Sequence, residues 1–461
     1  MDEQAILVAR VLFWVLATLV FVLPLRWALF PYLLLAHLDL SGPAFPSASS
    51  IGIENAIKTL ALPTVFLFRA GFRPLRYCRW QLPVRFWTLI VLYAAVATLW
   101  SPFKLSAIKM VGYLCCYLLL FLIFSYSWQA GWLNLRMVYF GLWAALVLAV
   151  LQTYVLGGRF GGPENRFTSF TSPQYFAAYL ACSAAILLFS DRGSVGPILG
   201  VLAASVGIAL SGSRYVFIGL LLLFGIVAVA AFLGTTGRTN RLALLRRSFV
   251  GLVLITTITA VFLRYLPEHR LSQAVDEAVF GVQGSTGLGT FRWRVGIYGE
   301  VVDDISRRSF PELVLGSGTS SGAQLLLSRD SRYWASTIDA NRALHNEILR
   351  SFYEWGLLGG ALVIAFILST AIGFLILGLA HHRLPAFAVI GMLPTIMISL
   401  GLENIFAGAA SPAGVGFVLL LSYAAVARGA PQPQWYSAWS GATFDRPQRQ
   451  RFVTARSQIS P

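Results

Sequence analysis

Apolar residues run along most of this chain in long unbroken blocks and do not alternate with polar ones. Ala5–Leu23, Leu142–Leu156, Phe217–Leu233 and Leu357–Leu379 contain no charged residue except Arg10. Each block is long enough, or nearly so, to cross a ~30 Å hydrocarbon layer as an α-helix. Such blocks recur at 5–23, 51–68, 86–101, 106–126, 135–156, 174–190, 195–211, 214–233, 248–266, 346–379, 384–404 and 411–427. The pattern predicts an all-α, polytopic integral membrane protein with about 12 transmembrane helices. One further stretch, 27–40, is apolar but short and interrupted by Pro24 and Pro31 at its start. A half-helix and an interfacial segment both fit it.

Polar residues collect between the blocks. Residues 267–345 hold about as many acids as bases, with many Gly and Ser, and are too polar to span. They are expected to form a long loop between helices 9 and 10, and loops of this length usually carry function. Residues 428–461 are rich in Pro, Gln and Arg and read as a mobile basic tail after a membrane domain at 1–427. No internal repeat is visible.

Composition sharpens this picture. The chain is 57% hydrophobic and 12% charged, about half the charge content of a soluble domain, and the recurrence of apolar blocks throughout excludes a soluble core on a single anchor. The net charge of +16 is carried by arginine, because Lys58, Lys104 and Lys109 are the only lysines. In a membrane protein such an excess reads as positive-inside bias and contact with anionic membrane lipid, not as nucleic-acid binding. Cys78, Cys115, Cys116 and Cys182 show neither metal-ligand spacing nor a disulfide framework. The first block follows Asp2 and Glu3 and lacks a small-residue cleavage site, so it reads as a retained helix.

Three arginine clusters set the orientation: Arg69, Arg73, Arg76, Arg79 and Arg85; Arg238, Arg241, Arg246 and Arg247; and the tail with Arg428, Arg446, Arg449, Arg451 and Arg456. Twelve helices put all three on the cytoplasmic side, with both termini inside. The outer face then holds 157–173, the turn Ser211–Arg214, the loop 267–345 and the turn Glu403–Ser411.

Several arginines fall on that outer face: Arg159 and Arg166 in one loop, Arg214 in Ser211-Gly-Ser-Arg-Tyr, Arg264 at a helix end, and Arg292 and Arg294 in Phe291-Arg-Trp-Arg-Val. Arg264 and Arg294 fit snorkelling to headgroup phosphate. Arg214 shares its turn with two serines and a glycine, which allows close backbone approach by a ligand. A guanidinium donates two parallel hydrogen bonds to phosphate, and several of them hold a diphosphate without a metal and stabilise its departure. Among the histidines, His381 and His382 sit in a short cytoplasmic turn and His37 reads as interfacial. His345 ends the long outer loop beside Asn341, Arg342, Asn346 and Glu347, where a neutral imidazole can accept a proton from a sugar hydroxyl. Glu300, Asp303 and Asp304 fit the solvated face of an outer-loop helix better than a divalent-cation site.

His345-Asn346, nine residues, Gly356, two residues, Gly359 resembles the His-Asn/Ser/Gln, nine, Gly, two, Gly/Thr/Tyr signature of the O-antigen ligase family. Arg166-Phe-Thr-Ser-Phe-Thr-Ser-Pro-Gln is similar to that family's outer-loop Arg followed by Pro-Asn opening a helix, with Gln174 in place of Asn. Ser213-Arg214 resembles its Ser-Arg at the next helix mouth. The likeness covers most of residues 135–410. It implies a C-type membrane glycosyltransferase, without metal or other cofactor, in the bacterial inner membrane with its active site facing the periplasm. Such an enzyme moves O-antigen from undecaprenyl diphosphate to a hydroxyl of lipid A–core with inversion. By the same resemblance His345 is the general base. Arg214 and Arg292 bind the donor diphosphate and assist its departure, with Arg294 able to take the part of Arg292. Arg159 and Arg166 steer the donor, while Asn346, Gly356 and Gly359 support the site. An O-antigen polymerase, a protein O-oligosaccharyltransferase and, more remotely, a transporter of lipid-linked sugars are the alternatives.

Overall fold

The computed structural model describes residues 3–38, 53–78, 82–156, 167–188, 195–232, 287–322, 346–379, 384–402 and 410–426, with short helical pieces of 245–261. Every regular element among them is helical. The first part of the chain forms α1 (Glu3–Val22), α2 (Leu25–Leu35) and α3 (Ile53–Ala56), which continues through a π turn, Ile57–Ala61, into α4 (Leu62–Arg69). Then come α5 (Arg73–Cys78), α6 (Leu82–Ala97), α7 (Lys104–Gln129), α8 (Leu135–Val150), α9 (Pro173–Leu188), α10 (Val195–Ser211) and α11 (Arg214–Phe232). The remainder comprises α12 (Gly287–Ser306), α13 (Phe310–Leu315), α14 (Glu347–Leu379), α15 (Leu384–Leu402) and α16 (Pro412–Val426). Among the described residues four stretches are long and apolar enough to cross a membrane: Leu82–Trp100, Lys104–Gln129, Leu135–Val155 and Glu347–Leu379.

The centre of the bundle is α9, which packs against α8, α10, α11, α15 and α16. It is almost wholly buried, as is α16. Small residues permit this: Gly416 of α16 lies against the Tyr179 backbone of α9, and Gly207 of α10 against Leu180. The periphery is apolar too, with Trp14, Val22, Leu99, Val147, Phe232 and Leu368 all exposed. Against water each square ångström of that surface costs about 25 cal/mol; lipid removes the cost.

Packing glycines reveal which helix ends lie together. Gly219 of α11 touches Thr395 of α15, and Gly391 of α15 touches Leu223 of α11, so these two helices run antiparallel. Gly378 of α14 meets Phe387 of α15 across their short connection, so α14 and α15 are also antiparallel. The amino ends of α11 and α14 therefore share one end of the bundle, here the upper end. The turn between α6 and α7 is there as well, because the Thr319 hydroxyl donates to the Ala94 carbonyl near the end of α6 (2.7 Å). Arg69, separated from the start of α6 only by the six-residue α5 and a short connection on either side of it, is at the lower end.

Two details differ from the sequence reading. His37, expected at an interface, is fully buried, its ring edge-on to Tyr179 at 4.4 Å. The first helix also runs parallel to α4, where the twelve-helix arrangement has the two antiparallel. The Arg69 guanidinium donates to the carbonyls of Val20 (2.9 Å), Phe21 (3.3 Å) and Leu23. It thereby satisfies groups that the end of α1 leaves without helical partners.

Candidate active site

The candidate site draws on the starts of α14 and α11 and on the base of the loop 157–166, all at the upper end. Asn346 caps α14: its Oδ1 accepts from the Leu349 N–H (2.8 Å) and its carbonyl accepts from the Arg350 N–H (2.8 Å). The residue before this cap in sequence is His345, so the imidazole-bearing position directly precedes a capped helix end.

A dense polar knot holds the first turns of α14. At Gly356 the helix breaks, with φ 62° and ψ −164°. Carbonyls freed by the break find other donors: Tyr353 accepts from the Ser317 N–H (3.2 Å) and Arg308 (2.6 Å), and Glu354 from the Gly318 N–H (2.8 Å). The Val314 carbonyl and Gly316 sit where a Cβ on Gly356 would be. Gly356, expected from sequence to support the site, admits the backbone at the end of α13; Gly359 faces a neighbouring helix, through Tyr93 of α6. The Thr319 hydroxyl accepts from Trp355 Nε1 (3.0 Å), and Ser101 Oγ donates to the Thr319 carbonyl (2.6 Å). This ties α14 to the α6–α7 turn.

Buried charge lies inside the knot. Glu354 is 2% exposed and Arg350 3%. The Glu354 carboxylate accepts from the Ser320 N–H (2.8 Å) and lies 4.0 Å from Arg350, which is also paired with Glu347. Sequence reasoning passed over Arg350 and Glu354. Their signal was charges three and four apart inside a run otherwise apolar, the spacing that puts them on one helix face.

Arg214 is the first residue of α11. Gly212, at φ 67°, closes α10, and Ser213 accepts from the Phe217 N–H through its carbonyl (3.1 Å). The turn is the tight one its sequence suggests. The base of the loop 157–166 is closed nearby: the Thr168 N–H donates to Thr153 Oγ1 (3.3 Å), which joins the residues on either side. Phe167, next to Arg166, lies against Gly207 of α10. Gly207 lies four residues, about 6 Å of helical rise, before the end of α10, and α11 begins just across the Gly212 turn. The loop base and the start of α11 therefore lie at the same end.

Arg292 and Arg294 fall in the first half of α12, which packs on α14 through Ile297, Val301 and Tyr353. Asp304 of α12 pairs with Arg308 (3.0 Å) and Asp303 is exposed, whereas Glu300 is half-buried with one carboxylate oxygen shielded, so only part of this acidic group lies on a solvated face. Arg159, Arg166, Arg264 and His345 lie outside the described residues, as do the side chains of Arg214, Arg292 and Arg294. No group of His, Cys, Asp and Glu suited to a metal occurs among the described residues. A scan against protein-family models gives no match, and neither does a search of curated proteins.

Proposed function

We propose that the protein is an O-antigen ligase-type glycosyltransferase of the bacterial inner membrane, with its active site on the periplasmic face. The observation that carries this reading is the gathering at one end of the bundle of two helix starts, at the residue after His345 and at Arg214, with the closed base of the loop bearing Arg159 and Arg166. Guanidinium groups from the loop, α11 and α12 grip the donor diphosphate as a polyprenyl-linked glycan arrives laterally from the membrane. His345 takes the proton from an acceptor hydroxyl of lipid A–core. The oxygen attacks the anomeric carbon opposite the phosphate, the carbon–oxygen bond to the diphosphate breaks, and Arg214 and Arg292 stabilise the departing charge. Configuration inverts. The arginine clusters and the tail lie in the cytoplasm, and the long segment 267–345 lies outside.

Purified protein incubated with undecaprenyl-diphosphate-linked O-antigen and either lipid A–core or a second donor tests this. Capped lipopolysaccharide supports the ligase. Longer lipid-linked chains mean a polymerase, and no product from either pair removes the reading.

A further inference from the structure

We infer that the chain crosses the membrane once more, between α1 and α3, so that the amino-terminal end of α1 faces the same outer side as the proposed active site.

Two contacts on α1 fix its direction. Near its carboxyl end, the carbonyls of Val20, Phe21 and Leu23 accept from Arg69, the last residue of α4. Nearer its amino end, Arg10 lies 3.9 Å from Glu54, in the first turn of α3. Arg10 and Val20 are separated by about 15 Å of helical rise, and Glu54 and Arg69 by about 22 Å. The long arginine side chains span the difference. So α1 and the α3–α4 segment are parallel. The chain leaves α1 at the Arg69 end, and it enters α3 at the opposite end. Whatever path it takes, residues between 23 and 53 must traverse the bundle.

The described part of that path is α2 and the residues after it. It packs back along α1, and by His37 it has reached Ser169, in the segment that closes the upper loop. The helix Leu25–Leu35 is about 16 Å long, short for a lipid-exposed span. Thickness is no objection here, because Ala28, Leu29, Tyr32, Leu33, Leu35, His37 and Leu38 are buried in protein. The apolar helices α9 and α16 are likewise shorter than a lipid-exposed span and are enclosed in protein.

Charge agrees with this direction. Arg26 lies in the first turn of α2, beside the α1–α2 connection that meets Arg69, while Asp2 precedes α1 and Glu3 opens it. Positive-inside bias puts Arg26 with Arg69 in the cytoplasm and leaves the acidic flank outside. The outer placement of 157–166, Ser211–Arg214 and 267–345 is unchanged, since one crossing is added and the first helix is reversed.

Single cysteines report the sides directly. Gln4→Cys and Gln81→Cys are made separately in the full chain with Cys78→Ser, and spheroplasts are treated with a membrane-impermeant maleimide before and after permeabilisation. The inference expects Gln4→Cys to label in intact spheroplasts and Gln81→Cys to label only after permeabilisation. Both positions labelling alike overturns it, as does Gln4 protected with Gln81 open. None of these outcomes depends on transferase activity, so a failed activity assay leaves the topology result intact.

Discussion

His37 Nδ1 lies 3.0 Å from Ser169 Oγ, a hydrogen bond between residues 132 positions apart. It joins the upper end of α2 to the segment that follows Arg166. Two aromatic contacts extend the link: His37 to Phe176 at 6.0 Å, and Phe176 to Phe167 at 5.8 Å. The segment 167–172 is therefore anchored through a buried imidazole in the turn after α2, a stretch whose apolar sequence gives no hint of such a role.

Ser169→Ala strands that imidazole. An unsatisfied buried polar group costs about 1–3 kcal/mol, so thermal unfolding in detergent should shift down. Adding His37→Phe removes the stranded group and keeps the edge-on ring contact with Tyr179. Most of the lost stability should return in the double variant, while transfer stays reduced because the loop has lost its tether. Equal stability of Ser169→Ala and the native protein would show that the bond contributes nothing.

Gly356→Ala should be severe. Its φ of 62° is strained for any side chain, at about 1–3 kcal/mol, and the Val314 carbonyl occupies the space for a Cβ. Gly373, in the same helix, has open space around it. Gly373→Ala should leave the midpoint of thermal unfolding unchanged or slightly raised. Matching behaviour of the two variants would argue against the break at Gly356.

Glu354→Ala removes one member of a buried ionic group and leaves Arg350 with Glu347 alone. Breaking such a pair costs about 3–5 kcal/mol. The Ser320 N–H also loses its acceptor. Proteolysis within 317–322 should accelerate in this variant, since the same carboxylate holds that segment. Unchanged cleavage would mean that the backbone bonds of Ser317 and Gly318 suffice.

Arg214→Lys keeps the charge but not the planar fork. Under the proposed function it should cut transfer by at least tenfold, with the larger effect on turnover, because the contact strengthens as the diphosphate leaves. A native rate in steady-state assays would remove Arg214 from the proposed role.

Much of the bundle was legible in the sequence, because period and apolar length mark a buried helix wherever it lies. The expected boundaries 195–211 and 214–233 match α10 and α11 almost residue for residue, since Gly212 punctuates the turn. What stayed hidden depends on the third dimension. A short apolar stretch with Pro31 gives the same sequence signal at an interface as at the centre of a bundle, so α2 and His37 were not legible. A glycine at a helix-packing interval gives no sign of a positive φ, so the break at Gly356 was missed. The direction of α1 rested on counting crossings, and one unrecognised crossing reverses it.

The central claim is that an imidazole before α14 and guanidinium groups at the same end of the bundle perform one transfer. The most direct measurement is single-turnover glycan transfer to lipid A–core by purified His345→Ala, with donor binding measured on the same preparation. Donor bound at native affinity with transfer reduced at least a hundredfold is the predicted result, in line with the loss of a general base. Transfer at the native rate contradicts the account.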